Sequence, residues 1–310
     1  MESRATGDTP NLSLQMRQPE FSFAARLRRI FGSMQQMRAA LIATFVLAII
    51  VFCAIFAPVL APHDPLQQNL EQRLRPPAWL EKGSWENPLG TDQLGRDILS
   101  RLIYGSRVSL IVGLTSVAIA GGIGVMLGLL AGFYGGVVDA VIMRIADIQL
   151  AFPFLLLAIA VVAVVGPGLL NVIIVLGITG WMGYARVIRG QVLSVREMEY
   201  VDAARAIGCP SLKILLRHIA PNSMTPVIVL ATFAVAGTII SEASLTFLGL
   251  GVEPQIPSWG IMLSDGKDYL GGGWWISTFP GLTIMLTVLA INMLGDWARD
   301  VLDPRMQMAE

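Results

Sequence analysis

Six stretches of this chain are long and apolar enough to cross a bilayer, at about residues 39–60, 106–133, 141–165, 170–188, 224–247 and 274–296. A hydrocarbon layer about 30 Å thick takes about 20 residues of helix, and within it every backbone polar group needs an internal partner, so continuous apolar runs of this kind fold as helices. The expected fold class is therefore all-α, an integral membrane protein of six transmembrane helices. Composition agrees: 14% of residues are charged, against about 25% in soluble domains. The first run follows 38 polar or mixed residues, too long a leader for a secretory signal, and is read as a retained helix although Ala57 to Ala61 weakly imitates a cleavage site.

Six spans put both termini on one side. With that side taken as the cytoplasm, fifteen of the 22 Lys and Arg residues fall inside, among them Arg26, Arg28, Arg29, Arg38, Arg186, Arg189 and Arg217, as the positive-inside bias requires. The expected organisation is a partly disordered cytoplasmic leader over 1–38, with a short basic amphipathic helix from Phe21 to Phe31, then the first transmembrane helix, 39–60. An external loop, 61–105, precedes a five-helix core, 106–296, which carries a cytoplasmic loop, 189–222; a cytoplasmic tail, 297–310, ends the chain. Lys and Arg exactly balance Asp and Glu at 22 each, so no basic field for nucleic acid is present. Cys53 and Cys209 lie too far apart in this topology to bridge.

Few charges fall at membrane depth, where each costs about 2.5 to 3.5 kcal/mol on insertion scales. Arg144 and Asp147 are three apart on one helical face and read as a local ion pair or as part of a translocation path. Glu242, within Ser241-Glu242-Ala243-Ser244, has no partner on its own helix and either lines a watery path or hydrogen-bonds another helix. In the second span Ser116, Ala120, Gly124, Gly128 and Gly132 recur every fourth position, a face that lets a second backbone approach closely, within the chain or at a subunit contact. Pro153 in the third span and Gly177, Gly180 and Gly183 in the fourth permit kinks.

The cytoplasmic segment from Arg189 to Asn222 is longer than a turn requires. Glu199, Tyr200, Asp202, Ala203, Ala204, Arg205 and Ala206 form a helical pattern stopped by Gly208, and Pro210-Ser211 starts a second helix. Its paired alanines suit either a surface amphipathic helix or a knob pressed into a partner's groove, with Asp202 and Arg205 at the rim.

These residues carry a resemblance. Asp202-Ala203-Ala204, Gly208 and Pro221 are similar to the EAA loop of type I ABC importer permeases, with Asp in place of the usual Glu. Leu89-Gly90-Thr91-Asp92, Gly95-Arg96-Asp97, Tyr104-Gly105-Ser106-Arg107, Phe247-Leu248-Gly249-Leu250-Gly251, Pro257-Ser258-Trp259-Gly260 and Leu302-Asp303-Pro304 resemble the C-type permease of dipeptide and oligopeptide importers. The resemblance implies the type I fold and residence in the bacterial plasma (inner) membrane. It implies that Tyr200, Asp202, Ala203, Ala204, Arg205, Gly208 and Pro221 belong to a coupling helix seated in an ATPase subunit. It further implies a heterodimer with a second homologous permease, two ABC ATPase subunits, and an external substrate-binding protein met by the external loops. Asp92, Arg96, Asp97 and Arg107 form the external motif, with folding or gating roles for the first three. The cargo implied is a di- or oligopeptide, the alternative being glutathione, a nickel complex or another small solute.

The chain has no G-x-x-x-x-G-K-S/T loop, no H-E-x-x-H and no G-x-S-x-G, and only His63 and His218, so it is read as a transport subunit and not an enzyme. No cofactor is expected on this chain, the ATP being used by partner subunits. A self-sufficient secondary transporter would share the spans without needing the long inner loop.

Overall fold

The computed structural model describes residues 23–302, all helix, turn and loop apart from one isolated bridge between Thr91 and Asp97. The leader unit, 1–38, contributes to this range only the beginning of the first helix; the disorder expected before residue 23 and the last eight residues lie outside it.

In chain order the helices are α1 Phe23–Ile55, α2 Ala57–Leu60, α3 Ile98–Tyr134, α4 Gly136–Leu150, α5 Phe154–Val165, α6 Leu169–Thr179, α7 Trp181–Val195, α8 Glu199–Ala206, α9 Ser211–Ile214, α10 Thr225–Phe247, α11 Trp259–Gly266 and α12 Trp275–Leu302. Among the described residues five helical stretches are long and apolar enough to cross a membrane: Met37–Ile55, Ile98–Tyr134, Leu169–Val195, Thr225–Phe247 and Trp275–Val301. A sixth is made if α4 and α5 count as one span, but they are bent by 89° at their junction. The third run, expected as one helix, is thus broken. Pro153 has no N–H to continue the ladder and biases Phe152 away from helical backbone.

The external loop is shorter than the expected 61–105, because α3 begins at Ile98. Asp97 caps it, its Oδ2 accepting from the Ser100 N–H at 2.8 Å. The 37 residues of α3 make a rod about 55 Å long, so its first turns are free to serve as a post for the loop before them. The connection between α10 and α12 is also partly helical, through α11.

The small-residue face of α3 meets α7. A Cβ on Gly128 would stand 2.5 Å from the Ala185 carbonyl oxygen and 2.8 Å from Ile188, and one on Gly132 would stand 2.7 Å from Val192. Gly124 similarly faces Trp181 and Tyr184. Close backbone approach replaces the hydrophobic driving force that lipid-embedded helices lack. The stripe is therefore an intrachain seam, and Ser116 adds a hydrogen bond to the Ile173 carbonyl at 3.2 Å.

Candidate functional site

The knob expected on the cytoplasmic side is built by α8 and its stop. The Gly208 N–H donates to the Arg205 carbonyl at 2.9 Å and the Cys209 N–H to the Ala204 carbonyl at 3.1 Å, with Gly208 at φ +77°. This paired closure needs a left-handed residue, which is what Gly208 supplies. Beyond it, α9 leads into a π-turn over Leu215–Ile219, and Pro221 opens a short 3-10 turn.

Helical periodicity divides α8 in two. Val201 and Ala204 are buried, in one apolar cluster with Ile214, Leu215 and Ile219 and with Leu129, Ile188 and Val192 of α3 and α7. Asp202, Ala203, Arg205 and Gly208 are exposed, Tyr200 is 40% exposed, and Ile207 stands out at 85%. The two alanines therefore do not act together, as expected of a paired knob: positions one apart lie about 100° apart around a helix, so only Ala203 points outward. Arg205 pairs with Asp202 at 2.9 Å on the exposed side.

At the other end of α3 the external motif folds inward. Asp92 is fully buried, and its Oδ2 accepts from Arg96 Nε and Arg101 Nη1, both at 2.5 Å. Both arginines also reach Asp265 Oδ2 of α11 at 2.9 Å. Two carboxylates and two guanidiniums thus alternate in a closed ring, and Asp92 Oδ1 accepts the backbone N–H groups of Leu94 and Arg96. Asp97, 3% exposed, caps α3 and accepts from Asn87 Nδ2 at 3.1 Å. Of the four residues expected in the external motif, the first three belong to this buried assembly, while Arg107 lies apart, exposed, on α3. Sequence reading did not assign the ring its other half, Arg101 and Asp265, and Asp265 carried no local signal.

Glu242 is fully buried at the junction of α3, α10 and α11. Ser109 of α3 donates to its Oε2 at 3.3 Å and Thr246 to its Oε1 at 3.0 Å, and Ser258, just ahead of α11, lies beside it. Gly260 permits this: a Cβ there would meet Thr246 at 2.8 Å and Ala243 at 2.9 Å. Of the two readings left open by the sequence, the geometry favours the hydrogen-bonded one.

Arg144 and Asp147 do not form the expected local pair. Asp147 pairs with Arg186 of α7 at 2.5 Å, Asp139 pairs with Arg189, and Arg144 is exposed with no ion pair among the described residues. Arg186 and Arg189 lie three apart on α7 and meet two carboxylates of the neighbouring helix. Cross-helix geometry outcompetes the weak pairing along one surface helix.

Among the described residues no group of three or more His, Cys, Asp or Glu side chains is placed to hold a metal ion.

Residues 124–308 match the family model described as "binding-protein-dependent transport system inner membrane component", and residues 27–77 match that of the N-terminal TM domain of oligopeptide transport permease C. Over 291 residues the chain is 46% identical to a di/tripeptide transport system permease protein of Pseudomonas aeruginosa, covering 94% of this chain and 96% of that protein. It is 43% identical to a dipeptide transport system permease protein of Escherichia coli over 281 residues, 91% and 94% of the two chains, and 39% identical to one of Bacillus subtilis over 275 residues, 88% and 84%. A solved structure of the MetNI methionine ABC transporter, in inward-facing conformations, contains a chain that superposes with a TM-score of 0.53, covering 66% of this chain and 98% of that one at 18% identity. At that identity the likeness is one of fold.

Proposed function

Because the chain belongs to the family of binding-protein-dependent transport system inner membrane components, with the type I ABC importer permease fold, we propose that it carries di- or oligopeptides inward as one half of a two-permease pathway. It is a multi-pass inner-membrane permease subunit, a transport component and not an enzyme. The observation that carries the peptide reading is near-full-length identity of 39–46% to permeases named for di- and tripeptide transport.

In this reading both termini and α8 lie in the cytoplasm, and α8 seats in one of two ATPase subunits that use the ATP; no cofactor sits on this chain. The support is mechanical. The outer face of α8 offers Tyr200, Asp202, Ala203 and Arg205, while its inner face shares one apolar cluster with α3 and α7. A push on the knob therefore moves packed spans and not a loose loop, since close-packed interiors transmit displacement. Nucleotide-dependent closure of the ATPases shifts the equilibrium between inward- and outward-open arrangements through differential docking at α8. The external binding protein delivers cargo on the opposite side, near the ring of Asp92, Arg96, Arg101 and Asp265.

The test is reconstitution. The chain is assembled in proteoliposomes with its second permease, ATPases and binding protein, and uptake of a labelled dipeptide is measured with and without ATP. ATP-dependent accumulation is expected. Uptake of glutathione or a nickel complex with none of dipeptide would move the assignment to that cargo, and uptake by the chain alone would overturn the importer reading.

A further inference from the structure

We propose that this permease holds an anionic phospholipid, its phosphate paired with Arg107 and an acyl chain lying in the groove between α1, α3, α10 and α12. The groove has a volume of about 530 Å³ and is walled by Leu47, Val51, Leu110, Leu114, Val235 and Ile291 with others of the same kind. Its lining contains one charged residue, Arg107, and no carboxylate. Arg107 is exposed and makes no ion pair or hydrogen bond among the described residues, unlike Arg96, just before α3, and Arg101, in its first turn.

The groove's geometry fixes which part of a lipid goes where. Successive spans run in opposite directions, so the wall formed by Ile55, Val51 and Leu47 on α1 faces Arg107, Leu110 and Leu114 on α3 in antiparallel order. That places the guanidinium at the Ile55 end, where the apolar stretch of α1 stops. A cation at the end of a span sits at headgroup depth, where a long side chain can reach phosphate, and the apolar length below it matches hydrocarbon. A guanidinium also binds phosphate oxygens in a forked geometry that an ammonium cannot copy. An unpaired cation above an apolar slot is complementary to a lipid with net negative charge. A zwitterionic one carries its own ammonium to compete for the phosphate.

The experiment is native mass spectrometry of the assembled importer, titrated with dioleoyl-phosphatidylglycerol and in parallel with dioleoyl-phosphatidylcholine. The wild-type complex is expected to retain phosphatidylglycerol about tenfold more tightly, the size of one charge-assisted contact. Arg107→Gln is expected to erase that preference and Arg107→Lys, which keeps the charge without the fork, to retain only part of it. Leu114→Trp, which fills the slot and leaves the cation, is expected to weaken both lipids. Equal retention of the two lipids by wild type, or an unchanged preference in Arg107→Gln, overturns the proposal. So does a photocrosslinker at Ile111 that labels the second permease and no lipid, since the groove would then be a subunit seat.

Discussion

Arg101 near the start of α3 donates to Asp265 of α11 at 2.9 Å, across 164 positions of sequence. With Asp92 and Arg96 the pair closes a ring that ties the loop before α3, the first turns of α3 and α11 into one body. Trp275 strengthens the same joint by donating to the Thr91 carbonyl at 3.0 Å. The arginines need both acids: neither guanidinium has water to turn to, at 8% and 1% side-chain exposure.

Removing one acid should therefore cost more than an ordinary surface ion pair. Asp92→Ala is expected to destabilise the external cap by about 3 to 5 kcal/mol, the range for leaving a buried charge uncompensated. Asp265→Ala should cost less, because its side chain is 24% exposed and water can replace part of it. Thermal unfolding of the purified complex checks the order; equal midpoints for wild type and Asp92→Ala would remove the structural role.

Glu242 ties α10 to α3 by accepting a hydrogen bond from the Ser109 hydroxyl. Glu242→Gln keeps an acceptor oxygen and the volume, and is expected to assemble with a small loss of stability. Glu242→Leu leaves the hydroxyls of Ser109 and Thr246 without this acceptor, at about 1 to 3 kcal/mol for a buried group left unsatisfied. The same melting assay reads both variants. If Glu242→Leu melts like wild type while transport falls, the carboxyl acts on cargo and the structural account fails.

The α3–α7 seam separates glycines that are needed from those that are not. Gly128→Leu drives atoms into the Ala185 carbonyl, a backbone group that cannot rotate aside, and is expected to abolish folded protein in the membrane fraction. Gly122→Ala on the same helix meets nothing within 4 Å and is expected to stay within about 1 kcal/mol of wild type. Detergent-soluble yield and melting midpoint distinguish the two.

Local sequence made the spans and the seam readable, because apolar length and a four-residue repeat are properties of contiguous chain. It failed where the decisive partner was distant. Arg144 and Asp147 share a helix face, yet Arg186 of the neighbouring helix takes Asp147. Asp265 bears no motif until α11 folds over α3. The break at Phe152-Pro153 sits in an unbroken apolar run, so hydropathy joined what proline separated. Gly208 was legible as a helix stop since its backbone conformation is a local demand. Which of two adjacent alanines faced inward depended on α8 rolling against Ile214 and Leu215.

That last point yields the sharpest test of the coupling assignment. Ala203 is exposed and Ala204 is packed in the cluster that α8 shares with α3 and α7. Ala203→Trp is expected to leave the permease folded, with an unchanged melting midpoint, but to lose co-purification of the ATPases and ATP-driven uptake together. Ala204→Trp should lower stability first, by about 1 to 3 kcal/mol as an overpacked core site, and lose ATPase binding only as a consequence. Gly208→Val should resemble Ala203→Trp with some loss of stability, because φ +77° strains a β-branched residue although the space around it is open. Pull-down of the ATPases and melting of the permease pair, measured on the same preparations, separate the cases. Normal transport by Ala203→Trp would mean that the exposed face of α8 is not where the motor holds this subunit.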